Sequence, residues 1–291
     1  MTTVTILGST GMLGSSVVQE FANFAGSLHG SLRSGEINPL LHKSYSLDAA
    51  DQDLPEELKS LGPEDFVINC IGVIKPYITE ESSLKRKNAI LINSLFPYSL
   101  DNLAAERGFK VIQIATDCVF SGSKGGYLET DSHDALDTYG KTKSLGEVPS
   151  DQMMNIRVSI IGPEHGRSTS LFEWVRNQPE NSQIFGYSDH VWNGITTGSF
   201  GRICRGIVEN NGFIPGAHHL LPSDSMTKYE LVQEIAKKCK RQDIEIIERP
   251  SGTHIDRTLA TVNNARNLEF WQNAGYLSIP TIAELIAEIA L

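Results

Sequence analysis

The chain has 291 residues, of which 40% are hydrophobic and 21% charged, and its formal net charge is -10. This composition is typical of a folded globular protein, and the acidic balance disfavours a nucleic-acid partner, which needs a basic surface. No apolar run approaches the roughly 18 residues that span a bilayer, and the N-terminus enters a strand pattern without a leader, so we expect a cytoplasmic protein with no membrane partner.

A glycine-rich turn follows the first predicted strand, residues 4–7. In a dinucleotide-binding turn the first glycine permits the tight bend, the second lets a pyrophosphate approach, and the third lets the helix pack on the strand. The helix N-terminus then offers N–H groups to phosphates. A plain strand-to-helix turn would look similar, but the position at the first strand favours a cofactor site. Its residues are Gly8, Thr10, Gly11, Met12, Leu13 and Gly14.

The second predicted strand, residues 28–32, ends at Arg33. An acid at this place holds the ribose 2′-hydroxyl of NAD, whereas an arginine accommodates the 2′-phosphate of NADP. Arg33 therefore predicts NADPH, with NADH still possible because Glu36 lies close by in the sequence. A solvated loop arginine is the alternative interpretation.

Later runs continue the alternation of strands and helices. Residues 66–72 predict a buried strand, residues 88–107 a helix that stops at Gly108, and residues 110–115 and 155–161 two more strands. This order predicts an α/β fold with a Rossmann-type, doubly wound parallel sheet, in which ligands bind beyond the carboxyl ends of the strands. We therefore add to the cofactor site the residues that end the strand at 66–72, namely Cys70, Ile71 and Gly72.

A tyrosine and a lysine four residues apart, Tyr139 and Lys143, form the most informative pair in the chain. On a helix they are neighbours on one face, and an adjacent cation lowers the pKa of a phenol. Thr116 ends the strand at 110–115 and so reaches the same sheet edge. Although a lone pair of this spacing is usually structural, the threonine and the glycine turn favour a catalytic role for Thr116, Tyr139 and Lys143.

The second half of the chain carries no further cofactor motif. We divide it from the first at residue 162, giving a cofactor-binding domain at 1–162 and mainly a substrate-binding lobe at 163–291, parts of which could return to the first domain. The predicted elements there are a helix near 171–175, a polar and aromatic loop at 185–197, a helix at 199–209, a short run at 219–221, a helix at 227–240, a strand at 244–248 and a helix at 282–291.

The four cysteines, at positions 70, 118, 204 and 239, are far apart and show no metal-ligand spacing. We expect buried thiols of a reducing compartment and no metal site. A basic run at 84–87 is interpreted as a solvated helix face.

Taken in order, the glycine turn, the stretches at 116–122 and 127–131, and the stretch at 139–147 resemble those of the extended short-chain dehydrogenase/reductases. Within them the chain is most similar to the dTDP-4-dehydrorhamnose reductase group. The resemblance implies an NADPH-dependent reduction of the C4 keto group of a nucleotide-linked 4-keto-6-deoxy sugar, for polysaccharide or glycoconjugate biosynthesis. Tyr139 would donate the proton, Lys143 would hold the nicotinamide ribose and lower the tyrosine pKa, and Thr116 would orient the carbonyl.

Substrate contacts are predicted at Phe120, Trp192, Asn193 and Arg257. A buried loop tryptophan that only packs, and an arginine in a structural ion pair, are the respective alternatives for Trp192 and Arg257. Dehydratases of the superfamily carry an acid two residues after the threonine, where this chain has Cys118. Because a thiol is a poor substitute for a carboxylic acid, dehydration is disfavoured. The reductase group more often has tyrosine there, which indicates a divergent branch.

Two other functions remain open. One is an epimerase with tightly held NAD, against which Arg33 argues. The other is a cofactor-binding regulatory subunit like that of methionine adenosyltransferase, against which the intact Thr116, Tyr139 and Lys143 set argues. No interface motif stands out, and a homodimer is one possible assembly.

Overall fold

A computed structural model describes residues 1–33, 38–51, 53–164 and 169–291. Its centre is a parallel sheet of seven strands, with helices on both faces. The strands follow one another across the sheet in the order Gly216–His219, Met153–Arg157, Lys110–Ala115, Phe66–Asn69, Thr3–Leu7, Ser27–Leu32 and Lys43–Ser46. The predicted doubly wound α/β fold is therefore confirmed.

Two strands of this sheet lie outside the predicted set. Lys43–Ser46 forms one edge beside Ser27–Leu32, and Gly216–His219 forms the other beside Met153–Arg157. The second of these comes from the C-terminal half, as does the helix Thr197–Glu209, which packs on the helix Met12–Glu20.

The predicted helices lie close to their expected places, while Glu56–Lys59 and Asn264–Asn273 were not predicted. Gly108 ends the long helix with φ 87°, a left-handed conformation that glycine adopts without strain. The run at 84–87 lies exposed on a helix, as predicted. The helices are Met12–Glu20, Glu56–Lys59, Ser83–Ile90, Phe96–Arg107, Thr138–Leu145, Leu171–Arg176, Thr197–Glu209, Lys228–Lys238, Asn264–Asn273 and Ile282–Ala287, with a π turn at Leu91–Leu95 and 3-10 turns at Lys75–Tyr77 and Asp117–Val119.

The C-terminal part builds small sheets beside the carboxyl edge of the main sheet. The predicted loop at 185–197 is wrong, because this segment holds parts of three strands that pair with distant ones. The pairs are Ile160–Ile161 with Ile195–Thr196, His190–Trp192 with Met226–Thr227 and Ile255–Asp256, and Gln183–Tyr187 with Glu245–Arg249.

Separate apolar cores hold these parts together. The two faces of the main sheet each pack against helices, around residues such as Ile6 and Phe200 on one face and Val67 and Leu100 on the other. The small sheets have their own core around Trp192. None of the described helices is both long and apolar enough to cross a membrane.

Candidate active site

The glycine turn has the geometry that a bound pyrophosphate requires. Gly8 follows the first strand with φ 75°, and Gly11 caps the next helix without any side-chain hydrogen bond, so the helix N-terminus is not blocked by its own cap. A Cβ on Gly14 would lie 2.1 Å from the Gly8 carbonyl oxygen. Only glycine therefore lets this helix pack against the turn, as predicted for the third position.

A cavity of about 650 Å³ continues from this turn along the sheet edge. Arg33 is exposed and lines it, while Glu36 lies outside the described residues. The residues that directly follow the unpredicted strand Lys43–Ser46 add a further wall, at positions 47–49. The other predicted cofactor residues that line this cavity are Gly8, Thr10, Gly11, Cys70, Ile71 and Gly72.

A second cavity, of about 410 Å³, brings the three predicted catalytic residues together. Thr116 comes directly after the strand Lys110–Ala115, and the helix Thr138–Leu145 carries Tyr139 and Lys143. Met12 and Leu13 line the same cavity, with Gly11 and residues 70–72 shared between the two. The predicted cofactor residues and the predicted catalytic residues thus line two cavities that share Gly11 and residues 70–72.

Local hydrogen bonds fix the side chains that were predicted to be catalytic. Asp137 caps the helix by accepting from the Gly140 N–H at 2.7 Å. The Lys143 ammonium donates to the Ile114 carbonyl at 2.8 Å, and the Thr116 hydroxyl accepts from the Cys118 N–H at 3.1 Å. Both Thr116 and Lys143 are only 6% exposed. Their positions are therefore set by the sheet edge and not by a flexible loop.

Burial governs the protonation of this site. It raises the pKa of the Tyr139 phenol, with the neighbouring Cys118 acting in the same direction and a hydrogen bond with Thr116 opposing it. The expectation that Lys143 lowers the tyrosine pKa is wrong for this structure, because loss of water is the largest effect and the nearby acidic groups raise the pKa further. Burial also lowers the pKa of Lys143 to about 8. At neutral pH the phenol keeps its proton.

Cys118 lines the catalytic cavity beside Thr116. Burial, followed by the charge of Asp117, raises the pKa of its thiol to about 12. Such a thiol is a far weaker acid than a carboxylic acid and is a poor substitute for the acid of a dehydratase, as the sequence predicts. All four cysteines are free thiols. Cys204 is buried, whereas the other three are partly exposed.

Of the predicted substrate residues, Trp192 alone lines the cavity. It is 4% exposed, and its indole N–H donates to the Ser159 hydroxyl at 2.8 Å. It is thus both packed and within the site, so the two interpretations of Trp192 do not exclude each other.

The other three side chains do not line the cavity and instead contact other parts of the protein. Phe120 is fully buried and stacks on Tyr127 with ring centroids 4.3 Å apart. Asn193 donates to the Leu259 carbonyl at 2.7 Å and accepts from its N–H at 2.9 Å. Arg257 donates through Nε to the Phe120 carbonyl at 2.9 Å. These bonds join segments far apart in sequence, a role that the sequence pattern does not reveal.

Lys228 is the functional candidate that sequence reasoning missed. It lines the catalytic cavity, and its ammonium lies 5.2 Å from the centre of the Trp192 ring. A signal was present in the sequence, because Lys228 is the first residue of a helix whose cap is Thr227. A cation at that end opposes the helix dipole and needs another reason to be there.

The acidic residues of the motifs have structural roles. Glu147 forms a buried ion pair with Arg157, with Oε2 and Nη2 2.8 Å apart. Glu129 accepts from the His219 N–H and the Thr261 hydroxyl. Within the described ranges, no group of three or more His, Cys, Asp or Glu side chains is arranged to hold a metal ion.

Comparison with known proteins identifies relatives of this arrangement. Residues 1–266 match the family model described as the RmlD substrate binding domain. The chain is 27% identical over 272 residues to methionine adenosyltransferase 2 subunit beta of Danio rerio, covering 87% of this chain and 80% of that protein.

Solved structures with this fold include the dTDP-4-dehydrorhamnose reductase of Bacillus anthracis in complex with NADP. It has a TM-score of 0.69 at 18% identity, over 98% of this chain and 96% of that one. MoeE5 in complex with UDP-glucose and NAD also has a TM-score of 0.69, at 16% identity, over 98% of this chain and 96% of that one. At these identities the likeness concerns the fold.

Proposed function

The chain belongs to the RmlD substrate binding domain family, and on this basis we propose that it is a nicotinamide-dependent reductase. The proposed reaction reduces the C4 keto group of a nucleotide-linked 4-keto-6-deoxy sugar, with NADPH preferred and NADH possible. The observation that carries the proposal is the convergence of Thr116, Tyr139 and Lys143 in one cavity with the glycine turn. The product would serve polysaccharide or glycoconjugate biosynthesis in the cytoplasm.

The residues at the sheet edge fit a dinucleotide. The uncapped helix start at Gly11 and the close packing at Gly14 suit a pyrophosphate, and Arg33 at the far end of the cleft suits a 2′-phosphate. When bound, the cofactor supplies a hydride. Lys143 would hold the nicotinamide ribose hydroxyls in addition to the Ile114 carbonyl.

Tyr139 supplies the proton in this proposal. Its raised pKa keeps the phenol protonated at neutral pH, which suits a group that donates to a forming alkoxide. The Thr116 hydroxyl donates to Asp117 in this structure, and in the proposed reaction its proton would turn to the same oxygen and orient the carbonyl. The phenol proton would pass to the C4 oxygen and, with the hydride that the cofactor would supply at C4, the ketone would become a secondary alcohol. Residues 163–291 would mainly cover the sugar, with the strand Gly216–His219 returning to the first domain.

The test compares the wild type with Tyr139→Phe on dTDP-, UDP- and GDP-4-keto-6-deoxy sugars, following NADPH oxidation. We expect the variant to lose about 10²- to 10⁴-fold in rate, the usual contribution of a positioned proton donor. Tyr98→Phe, on the exposed side of the helix Phe96–Arg107, is the matched control and should keep full activity. Equal rates for wild type and Tyr139→Phe on every sugar would contradict the proposal.

The cofactor preference has its own test. Arg33→Ala should raise the KM for NADPH about tenfold, as expected for the loss of one exposed charge-assisted contact, and leave the KM for NADH unchanged. If NADH is the better cofactor and Arg33→Ala does not alter that order, the role given to Arg33 is wrong.

A regulatory subunit is the second candidate, and the similarity to methionine adenosyltransferase 2 subunit beta supports it. In that case the protein would bind the cofactor, reduce none of the sugars and co-elute with a methionine adenosyltransferase catalytic subunit in gel filtration. Sugar reduction without co-elution would exclude this candidate.

A further inference from the structure

Lys228 places an ammonium group in the catalytic cavity without a matching anion. Within the part of the chain that the structure describes, this ammonium group has no hydrogen-bond acceptor and no ion-pair partner. It lies over the face of the Trp192 ring, 5.2 Å from the ring centre. The buried carboxylate of Asp117 acts on Lys228 from a distance, but it accepts instead from the Thr116 hydroxyl at 3.1 Å. The three ammonium protons are therefore available to a ligand.

Two costs oppose a cation at this position. Burial disfavours the charged form and lowers the pKa of Lys228 to about 8. The positive end of the helix Lys228–Lys238 disfavours it further. Binding of an anion would stabilise the charged form of a lysine at this position, because a charge-assisted hydrogen bond in a cleft with little water is strong.

The position of Lys228 also joins two cavities. Lys228 and Leu171 line both the catalytic cavity and a groove of about 640 Å³ on the C-terminal part. Exposed aromatic rings line that groove, and the Arg249 guanidinium lies 4.1 Å from the centre of the Phe185 ring. The rings belong to Trp174, Phe185 and Tyr187. Flat aromatic walls of this kind suit a nucleobase.

We propose that Lys228 binds the diphosphate of a nucleoside diphosphate-linked substrate, between a sugar at Thr116 and Tyr139 and a nucleoside in the aromatic groove. This inference rests on the proposed function, since it assigns the charged middle of that substrate to a residue. A carboxylate on the sugar would offer similar anionic chemistry, and the experiment separates the two.

The experiment measures binding of UDP, dTDP and GDP, and of the matching nucleosides, by titration calorimetry. Lys228→Met removes the charge and keeps most of the side-chain volume. It should weaken the best diphosphate about tenfold to hundredfold, the range for a lost charged hydrogen bond, and leave the nucleoside unchanged. Lys228→Arg, which keeps the charge, should retain most of the affinity. Lys237→Met, on the exposed face of the same helix, is the matched control.

Three results would overturn the inference: no wild-type binding of any diphosphate below about 1 mM, a loss under about threefold in Lys228→Met, or an equal loss for the nucleoside. Unchanged NADPH binding and melting temperature confirm that Lys228→Met is folded. The two proposals fail separately. Diphosphate binding that depends on Lys228 without sugar reduction would contradict only the reductase, while sugar reduction with an unchanged KM in Lys228→Met would contradict only the role of Lys228.

Discussion

The carboxyl edge of the main sheet and the C-terminal part beside it form one cleft in different ways. At the sheet edge, the neighbouring parallel strands Thr3–Leu7, Phe66–Asn69 and Lys110–Ala115 end in the same direction, so the residues that follow them meet. In the C-terminal part, strands of two to five residues pair with segments that are more than sixty residues away in two cases, one of which is Gln183–Tyr187 with Glu245–Arg249. Regular topology fixes the first site, and individual long-range bonds fix the second.

The largest expected effect tests the rigidity of the sheet edge. Glu147→Gln breaks the ion pair with Arg157, whose side chains are 7% and 6% exposed, and leaves a buried guanidinium with a weaker partner. We expect a loss of about 3–5 kcal/mol in the free energy of unfolding, measured by urea denaturation.

The matched variant lies in the C-terminal part. Asp243→Asn weakens the more exposed Arg241–Asp243 pair, and we expect a far smaller loss there. If the two variants lost similar free energies of unfolding, the sheet edge and the C-terminal part would depend equally on their ion pairs, and the contrast between the two regions would be wrong.

The pH dependence of the free energy of unfolding tests the burial of Lys143 at the sheet edge. The pKa of Lys143 is lowered to about 8 in the folded protein, so the unfolded chain binds more protons between pH 8 and 10. The free energy of unfolding should therefore gain up to about 3 kcal/mol from Lys143 over this range. Lys143→Met should remove this rise relative to the wild type, and Lys141→Met, at an exposed position, should keep it. If the free energies of unfolding of wild type and Lys143→Met changed in parallel with pH, the pKa of Lys143 would not be lowered in the folded protein.

The smallest effect concerns the bonds of the C-terminal part. Asn193→Ala removes both hydrogen bonds to the Leu259 backbone and should lower the free energy of unfolding by about 1–3 kcal/mol. Because Asn193 does not face the catalytic cavity, kcat should stay within about threefold of the wild type. Asn102→Ala, at an exposed helix position, should change stability little. If kcat fell strongly while the free energy of unfolding stayed unchanged, Asn193 would contact the substrate, as the sequence analysis predicted.

The errors of the sequence interpretation lie mostly where local pattern carries little information. In Gln183–Tyr187 the inward positions are Ile184 and Gly186, so a single apolar side chain marks the buried face and the segment resembles a loop. Gly186 is needed because a Cβ there would lie 2.5 Å from the Cα of Tyr229. That neighbour is over forty residues away, and no local window contains it.

Sequence alone was sufficient for the alternation of strands and helices in the first half of the chain, the glycine turn and the spacing of Tyr139 and Lys143. Each of these depends on neighbours within one turn or one strand, and the carboxyl edge of a parallel sheet then brings Thr116 to them. Tertiary structure alone decided that Asn193 and Arg257 bind backbone, that Lys228 enters the cleft, and that Tyr139 keeps its proton. These outcomes depend on burial and on partners distant in sequence, which composition and periodicity do not encode.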